Sequence, residues 1–272
     1  MRSRWLGAAC GAALLMAAVP QVPAQAPAVL LMAHERVRPG VSAEYLSNLR
    51  GYARVYASLK APVRFIGTYA IGGGTESVFF DPFASFADLD QVAAALSARV
   101  DIQTQSPPFE RARARLVLEE GRVIARLDTG ASYRPPDDLG RMRYVQLATF
   151  RVRPGHEGDW AELGQLFKAA ATRAGIDTHW LAYDAVLGAP SGTHFLVQVY
   201  RSLAALDSAA VVAQAFGVAL GPDGAKRVAE LNAAAIAESR TDIYAIVPSI
   251  SYPPEAWVQA DPDFWKPTRS GR

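Results

Sequence analysis

The chain has 272 residues, 28 Lys and Arg against 26 Asp and Glu, and a single cysteine. Arg2 and Arg4 are the only charges among residues 1–26, so the formal net charge of +2 belongs to the amino end and the remainder is near neutral. A body without a basic stripe lacks the electrostatic footprint for nucleic acid or anionic lipid, and with Cys10 alone it has neither a disulfide nor thiol chemistry to offer.

Arg2 and Arg4 precede a 15-residue apolar run from Trp5 to Val19, and residues 20–26 end in Ala24-Gln25-Ala26. This is the pattern of a secretory signal, cut after Ala26 or, because Pro27 follows directly, after Ala24. The run falls short of the about 20 apolar residues that a spanning helix wants. Arg2 and Arg4 are not adjacent and no leucine lies three residues before Cys10, so neither a twin-arginine signal nor a lipoprotein anchor is expected. The mature protein is therefore expected to be secreted or periplasmic, without a membrane anchor.

Residues 29–37 read as a strand, ended by Pro39-Gly40. A helix over 42–59 follows, in which Tyr45, Leu49, Tyr52, Tyr56 and Leu59 recur at helical spacing and form one stripe to be buried. Residues 63–71 and 76–81 are strands around the turn Gly72-Gly73-Gly74, which leads into a strand and so is a hairpin rather than a phosphate loop. Helical segments over 85–100 and 109–120, an interruption at Gly121 and a strand over 122–133 complete the unit. The second half repeats this order: strand 143–152, helix 157–174, strands 179–187 and 193–200, helices near 202–216 and 224–239, and a last strand over 241–251.

The repetition extends to the residues. RVRPG occurs at 36–40 and 151–155, SFADLD at 85–90 answers SLAALD at 202–207, and SYRP at 132–135 answers SYPP at 251–254. The chain thus divides into a signal (1–26), two repeats (27–138 and 139–252) and a tail (253–272). Each repeat has the ferredoxin-like order βαββαβ. The expected fold is α+β, with two tandem units packed sheet to sheet, since each four-stranded sheet has one face that its own helices leave bare.

The order of elements, the helix opened by RVRPG and the ending FLVQVYRSLAALDS resemble the dimeric α/β-barrel superfamily, in particular its antibiotic-biosynthesis-monooxygenase-like and NIPSNAP-like members. The resemblance spans nearly all of 28–252. It implies a barrel with a cavity; the superfamily includes cofactor-independent oxygenases, haem proteins, cyclases and domains of unknown role.

Strand periodicity puts Trp180, Asp184, His194, Gln198 and Tyr200 on one face of the second hairpin and His179, Leu181, Tyr183, Phe195, Val197 and Val199 on the other. The second set is the more apolar and is expected beneath helices, the first inside the barrel. Phe65, Tyr69, Phe79 and Asp81 form the corresponding face of the first repeat. Both faces offer aromatic rings and a carboxylate, which suits a pocket for a small, partly aromatic molecule. Asp184 and His194 are placed to share a proton as a catalytic pair, although alternate polar residues on a strand also simply face water. His34, whose matching position is Thr149, is a further ligand candidate.

The four histidines, at 34, 156, 179 and 194, show no metal-ligand spacing, and neither a metal nor a cofactor is expected. His156 reads as part of a helix start, and Ser191 in GAPSG as a turn residue. Arg36, Arg38, Arg151 and Arg153 read as a solvated rim. Trp257, Phe264 and Trp265 suggest that the tail docks on the body or on a partner, with the last five residues disordered. The partners left open are a small molecule and a second copy of the chain. Three functions remain in view: a small-molecule binder, a cofactor-independent monooxygenase-like enzyme, and an interaction protein with a filled interior.

Overall fold

The computed structural model describes residues 26–72 and 74–266. The expected signal up to residue 25, Gly73 of the glycine turn and the last six residues of the tail lie outside them.

The first repeat comprises β1 (Val29–Val37), α1 (Ser42–Ser58), β2 (Ile66–Ala70), β3 (Glu76–Phe83), three helices α2 (Phe86–Ser97), α3 (Val100–Gln105) and α4 (Pro107–Leu116), and β4 (Val117–Tyr133). The second comprises β5 (Tyr144–Val152), α5 (Glu157–Ala174), β6 (Trp180–Leu187), β7 (Thr193–Tyr200), α6 (Ala209–Ala235) and β8 (Ile236–Ile246). Short helices α7 (Glu255–Ala260) and α8 (Pro262–Trp265) follow. Matching elements begin 115 residues apart at α1 and α5, 117 at β3 and β7, and 119 at β4 and β8, so positions can be compared pair by pair.

The eight strands close a barrel in the order β1-β3-β2-β8-β5-β7-β6-β4. Within it each repeat keeps the ferredoxin-like order, and the two sheets are joined by hydrogen bonds at both edges. Thr68 pairs with Ile246 where β2 meets β8, and Arg126 with Asp184 where β4 meets β6. Closure removes every free edge, which two open sheets would have left unpaired.

Alternation along the strands sends Leu30, Met32, Ile66, Phe80, Leu181, Tyr183, Phe195, Val197, Val199 and Tyr244 inward to one core drawn from both repeats. Eight strands enclose a lumen just wide enough for side chains to fill; the void left among them is about 70 Å³. This overturns the expected orientation of the hairpin faces. The apolar set lies inside the barrel, and Trp180, Asp184, His194, Gln198 and Tyr200 point outward toward the helices. The middle of the lumen is walled by strands all round and so takes the more apolar set. The helix-covered face is sealed only where helices press down, and it tolerates polar groups.

One end of the barrel is closed by the tail. Trp265 donates its indole N–H to the Gly140 carbonyl at 2.7 Å, Trp257 and Val258 join the barrel core, and the Arg143 guanidinium lies 3.8 Å from the Phe264 ring centre. Docking of the tail on the body, expected from its aromatics, is what the fold shows.

Two segments differ from expectation for one reason. Residues 117–121 were expected to be helical, with Gly121 as a break, and 236–239 likewise. Both stretches are strand, because Glu119 to Gly121 pair with Arg36 to His34 on β1, and Glu238 to Arg240 with Arg151 to Thr149 on β5. A ladder with a long strand outweighs the helix preference of residues such as Glu and Ala. The break expected between 216 and 224 is real. It falls at Gly221, whose φ of 69° no continuous helix allows, just before Pro222.

Candidate functional site

Between sheet and helices the repeats diverge. In the first, α1 turns Tyr45, Leu49 and Tyr56 to the outer face of β1 and β3, while α2 and α4 stand off from the sheet. A cavity of about 570 Å³ remains among α1, α2, α4 and the strands, within the range of sites for drug-sized molecules. Tyr52, Tyr56, Phe65, Phe79, Phe83 and Phe109 supply aromatic walls. Phe109 of α4 rests on α1 at Gly51, where a Cβ would come 2.1 Å from the ring, so the bare backbone there lets α4 approach.

Polar groups enter this apolar space from β1, α1, β3, α4 and β4. Glu35 of β1, only 2% exposed, accepts a hydrogen bond from the Tyr45 hydroxyl at 2.7 Å and pairs with Arg113 of α4. Arg113 also reaches Glu120 at 3.1 Å. The Tyr52 hydroxyl donates to Tyr56 at 2.7 Å, with ring centres 4.5 Å apart. Burial pushes the phenols of Tyr45, Tyr52 and Tyr56 upward, so all three stay protonated and remain donors at physiological pH.

Asp81 of β3 faces Leu31 of β1 across the ladder and lines the same cavity. Among the described residues its carboxyl has neither hydrogen bond nor ion pair; what exposure it keeps is to the cavity. Burial pushes it up to about 7, against the opposing pull of Arg122, which stands at the exposed rim.

In the second repeat aromatic side chains crowd the same region. Trp160 of α5 stacks on His194 at 4.8 Å and lies 5.2 Å from Phe150, Phe167 meets Phe216 edge-on at 6.0 Å, and Tyr133 stacks on Trp180 at 4.8 Å. Position by position, Glu35 corresponds to Phe150, Tyr45 to Trp160, Asn48 to Leu163, Tyr52 to Phe167 and Asp81 to Gln198. The first four exchanges put the polar or hydroxylated residue in the repeat with the cavity, and the fifth puts a carboxylate there against a neutral amide.

Of the residues singled out from sequence, Phe65 and Asp81 line this cavity. Tyr69 is on the same outer face but its hydroxyl donates to Ser42 at 2.9 Å. His34 points into the barrel mouth, 3.3 Å from Glu76, which Arg240 also holds at 2.7 Å; it does not reach the cavity. Asp184 and His194 do meet, Oδ1 to Nδ1 at 2.8 Å, but outside the barrel under α5 and in the other repeat. Trp180 donates to the Ala131 carbonyl at 2.8 Å, and Gln198 bridges Gln146 at 3.1 Å and the His179 carbonyl at 3.0 Å. The Tyr200 hydroxyl donates to Gln146 at 3.3 Å. Protein neighbours thus already satisfy the polar groups of that second-repeat face.

Sequence reasoning missed Glu35, Tyr52, Arg113 and Arg122 as members of a site. The signal was present in the duplication: a polar residue in one repeat opposite an aromatic or aliphatic residue in the other marks a place where one copy need not pack.

Neither a protein-family model nor a curated protein matches this sequence. Solved structures do. An anthrone oxidase-like protein superposes with a TM-score of 0.55 at 12% identity, over 84% of this chain and 94% of its own. The fold is that of the dimeric α/β barrels. A candidate monooxygenase from Fusobacterium nucleatum subsp. nucleatum matches at a TM-score of 0.51 and 9% identity, over 81% of this barrel and 93% of its own chain. A NIPSNAP domain protein from Burkholderia xenovorans matches 35% of this chain and 90% of its own length, with 18% identity and a TM-score of 0.28. At their identities the matches to the anthrone oxidase-like protein and the candidate monooxygenase show a shared fold.

Proposed function

We propose that this barrel binds a small, partly aromatic molecule between the sheet and the helices of its first repeat. The observation that carries this reading is the cavity of about 570 Å³ whose polar groups, Glu35, Tyr52 and Asp81 among them, stand where the second repeat has Phe150, Phe167 and Gln198. The binding place is therefore outside the barrel, not between the two sheets as the sequence suggested. Ring faces supply the apolar contact and a few directed groups supply orientation.

Native mass spectrometry of protein purified from its source tests this. The expected result is a co-purifying molecule of a few hundred daltons, a size such a cavity accepts. An Ala93→Trp variant, which crowds the cavity from the solvent side of α2, should lose it. A molecule retained by that variant, or binding confined to the second repeat, overturns the assignment.

A monooxygenase-like reaction without a cofactor is the second reading. Similar structures carry the descriptions candidate monooxygenase and anthrone oxidase-like, and a carboxyl near neutrality suits a base. In this chain that base would be Asp81, since Asp184 and His194 do not face the cavity. Dioxygen uptake with an added anthrone, lost in Asp81→Asn, is the expected sign of this activity; no uptake removes it.

We further read the protein as exported, from the leader at 1–26. Amino-terminal sequencing of the protein from the secreted or periplasmic fraction should begin at Pro27 or Gln25, whereas an intact Met1 in the cytosol refutes export.

A further inference from the structure

We propose that the ligand of the first-repeat cavity is an aromatic amine, whose ammonium group docks on the Asp81 carboxylate while its rings lie among Tyr56, Phe65 and Phe79. The proposal rests on the pocket reading above and names the chemical class that the pocket selects.

Most of the charges around the cavity already have partners or water. Facing the cavity are Glu35 on β1, Asp81 on β3, Glu110 and Arg113 on α4, and Arg122 on β4. Glu35 is held by Arg113 and by the Tyr45 hydroxyl, and Arg113 is shared with Glu120. Glu110 and Arg122 stand at the exposed rim, where water serves them. Asp81 alone is set deep, reaches the cavity, and has no hydrogen-bond or ion-pair partner among the described residues. A carboxyl in that position lacks a donor, and an ammonium group supplies three.

The charge count agrees. With the rim residues Glu110 and Arg122 set aside, Glu35 and an ionised Asp81 face the one guanidinium of Arg113, and one bound monocation balances the remaining negative charge. Burying an unpaired carboxylate is costly, so a cation that pairs with it gains what the empty pocket lacks.

The surroundings also suit a cation. Phe65 lies 5.8 Å from Tyr56 and 6.2 Å from Phe79, centre to centre and edge-on, so their ring faces and edges turn in different directions around one space. Ring faces attract cations, and more strongly when water is excluded. The second repeat carries the contrast: Gln198 stands at the matching position, neutral, with its amide oxygen accepting from Gln146 and its amide nitrogen donating to the His179 carbonyl.

Three probes that differ in one group separate the possibilities: 2-(1-naphthyl)ethylamine, 2-(1-naphthyl)ethanol and 1-naphthylacetate, titrated by calorimetry into the full mature chain. At about pH 8, where the amine remains protonated and Asp81 is ionised, the amine should bind at least about ten-fold tighter than the alcohol. The acetate should be the weakest. Lowering the pH to about 5.5 protonates Asp81 and should remove most of the amine's advantage while leaving the alcohol unchanged. Asp81→Asn should bring amine and alcohol within about two-fold of each other at both pH values. Asp81→Leu serves as a second variant should the amide retain a hydrogen bond, and melting curves confirm that each variant folds.

Alcohol or acetate binding as tightly as the amine overturns this inference and leaves the pocket reading standing. An amine preference that survives both substitutions does the same. Failure of all three probes to bind the wild-type chain, with the Ala93→Trp variant indistinguishable from it, overturns the pocket reading as well.

Discussion

The two repeats share an outline and differ in how their helices meet the sheet. In the first, three short helices, α2, α3 and α4, span the stretch between β3 and β4; α1 packs on α4, and a cavity stays open behind them. In the second, α6, broken at Gly221, packs along α5, and Phe150, Trp160, Phe167 and Phe216 crowd the matching space. One copy of a duplicated unit keeps an open space beside its sheet, while the other copy packs aromatic rings there. The apolar packing that a fold needs and the vacancy that a site needs are thus divided between halves of one chain.

Truncating one leucine in each repeat should break this comparison most visibly. Leu163 of α5 is 3% exposed and surrounded by protein, whereas Leu49 of α1 is 4% exposed but borders the cavity. Leu163→Ala should cost about 3–5 kcal/mol and Leu49→Ala about 2 kcal/mol in denaturant titrations, because part of the Leu49 surface has no packed neighbour to lose. Equal costs would mean that the first repeat is as tightly filled as the second.

The next effect is tied to pH. Folded Asp81 keeps its proton up to about 7, whereas the unfolded chain releases it near 3.8. Between those values the native state binds more protons, so burial of Asp81 costs stability that grows as the pH rises through the window and vanishes below it. Asp81→Asn should therefore stabilise the ligand-free protein by about 2–4 kcal/mol at about pH 8 and change little at about pH 4. A stabilisation that is independent of pH would show that the carboxyl is not desolvated.

The smallest difference lies at a pair of helix caps. Ser85 accepts a hydrogen bond from the Asp88 backbone N–H at 3.1 Å, and the Asp88 side chain accepts one from the Ala84 N–H at 2.9 Å. Ser202, its counterpart, accepts from Ala204 at 3.2 Å, Ala205 offers no carboxylate to match Asp88, and a 3-10 turn follows over Leu203–Ser208 in place of an α-helix. Ser85→Ala should lower stability by about 1 kcal/mol and Ser202→Ala by about half that, read from melting curves. The reverse order would assign the cap energy elsewhere.

Much of the fold was legible because duplication and period are local signals. Strand 29–37 and helix 157–174 were read with the boundaries the structure shows, and the paired RVRPG and SFADLD motifs announced two βαββαβ units. The residues Val117 to Gly121 were misread because their partners lie on β1, more than 80 positions away for Glu119 and Arg36. The candidate site was legible only in part. Asp81 and Phe65 were found, since alternation along a strand identifies which residues share a face. Whether that face looks into a lumen or toward helices depends on how the sheet closes, and no period encodes this. Arg113 and Glu35 were beyond reach for the same reason: one lies on a helix, the other on a strand, and only packing brings them together.

By itself the sequence determined two like units, their elements, and a tail rich in aromatics that would find a surface, all of which follow from spacing along the chain. Tertiary structure alone decided that the sheets join at their edges, that the apolar faces turn inward, and that the helices of one unit stand off from the strands. Those outcomes depend on how edges, volumes and charges from distant segments fit one another, and such fit exists only once the barrel has closed.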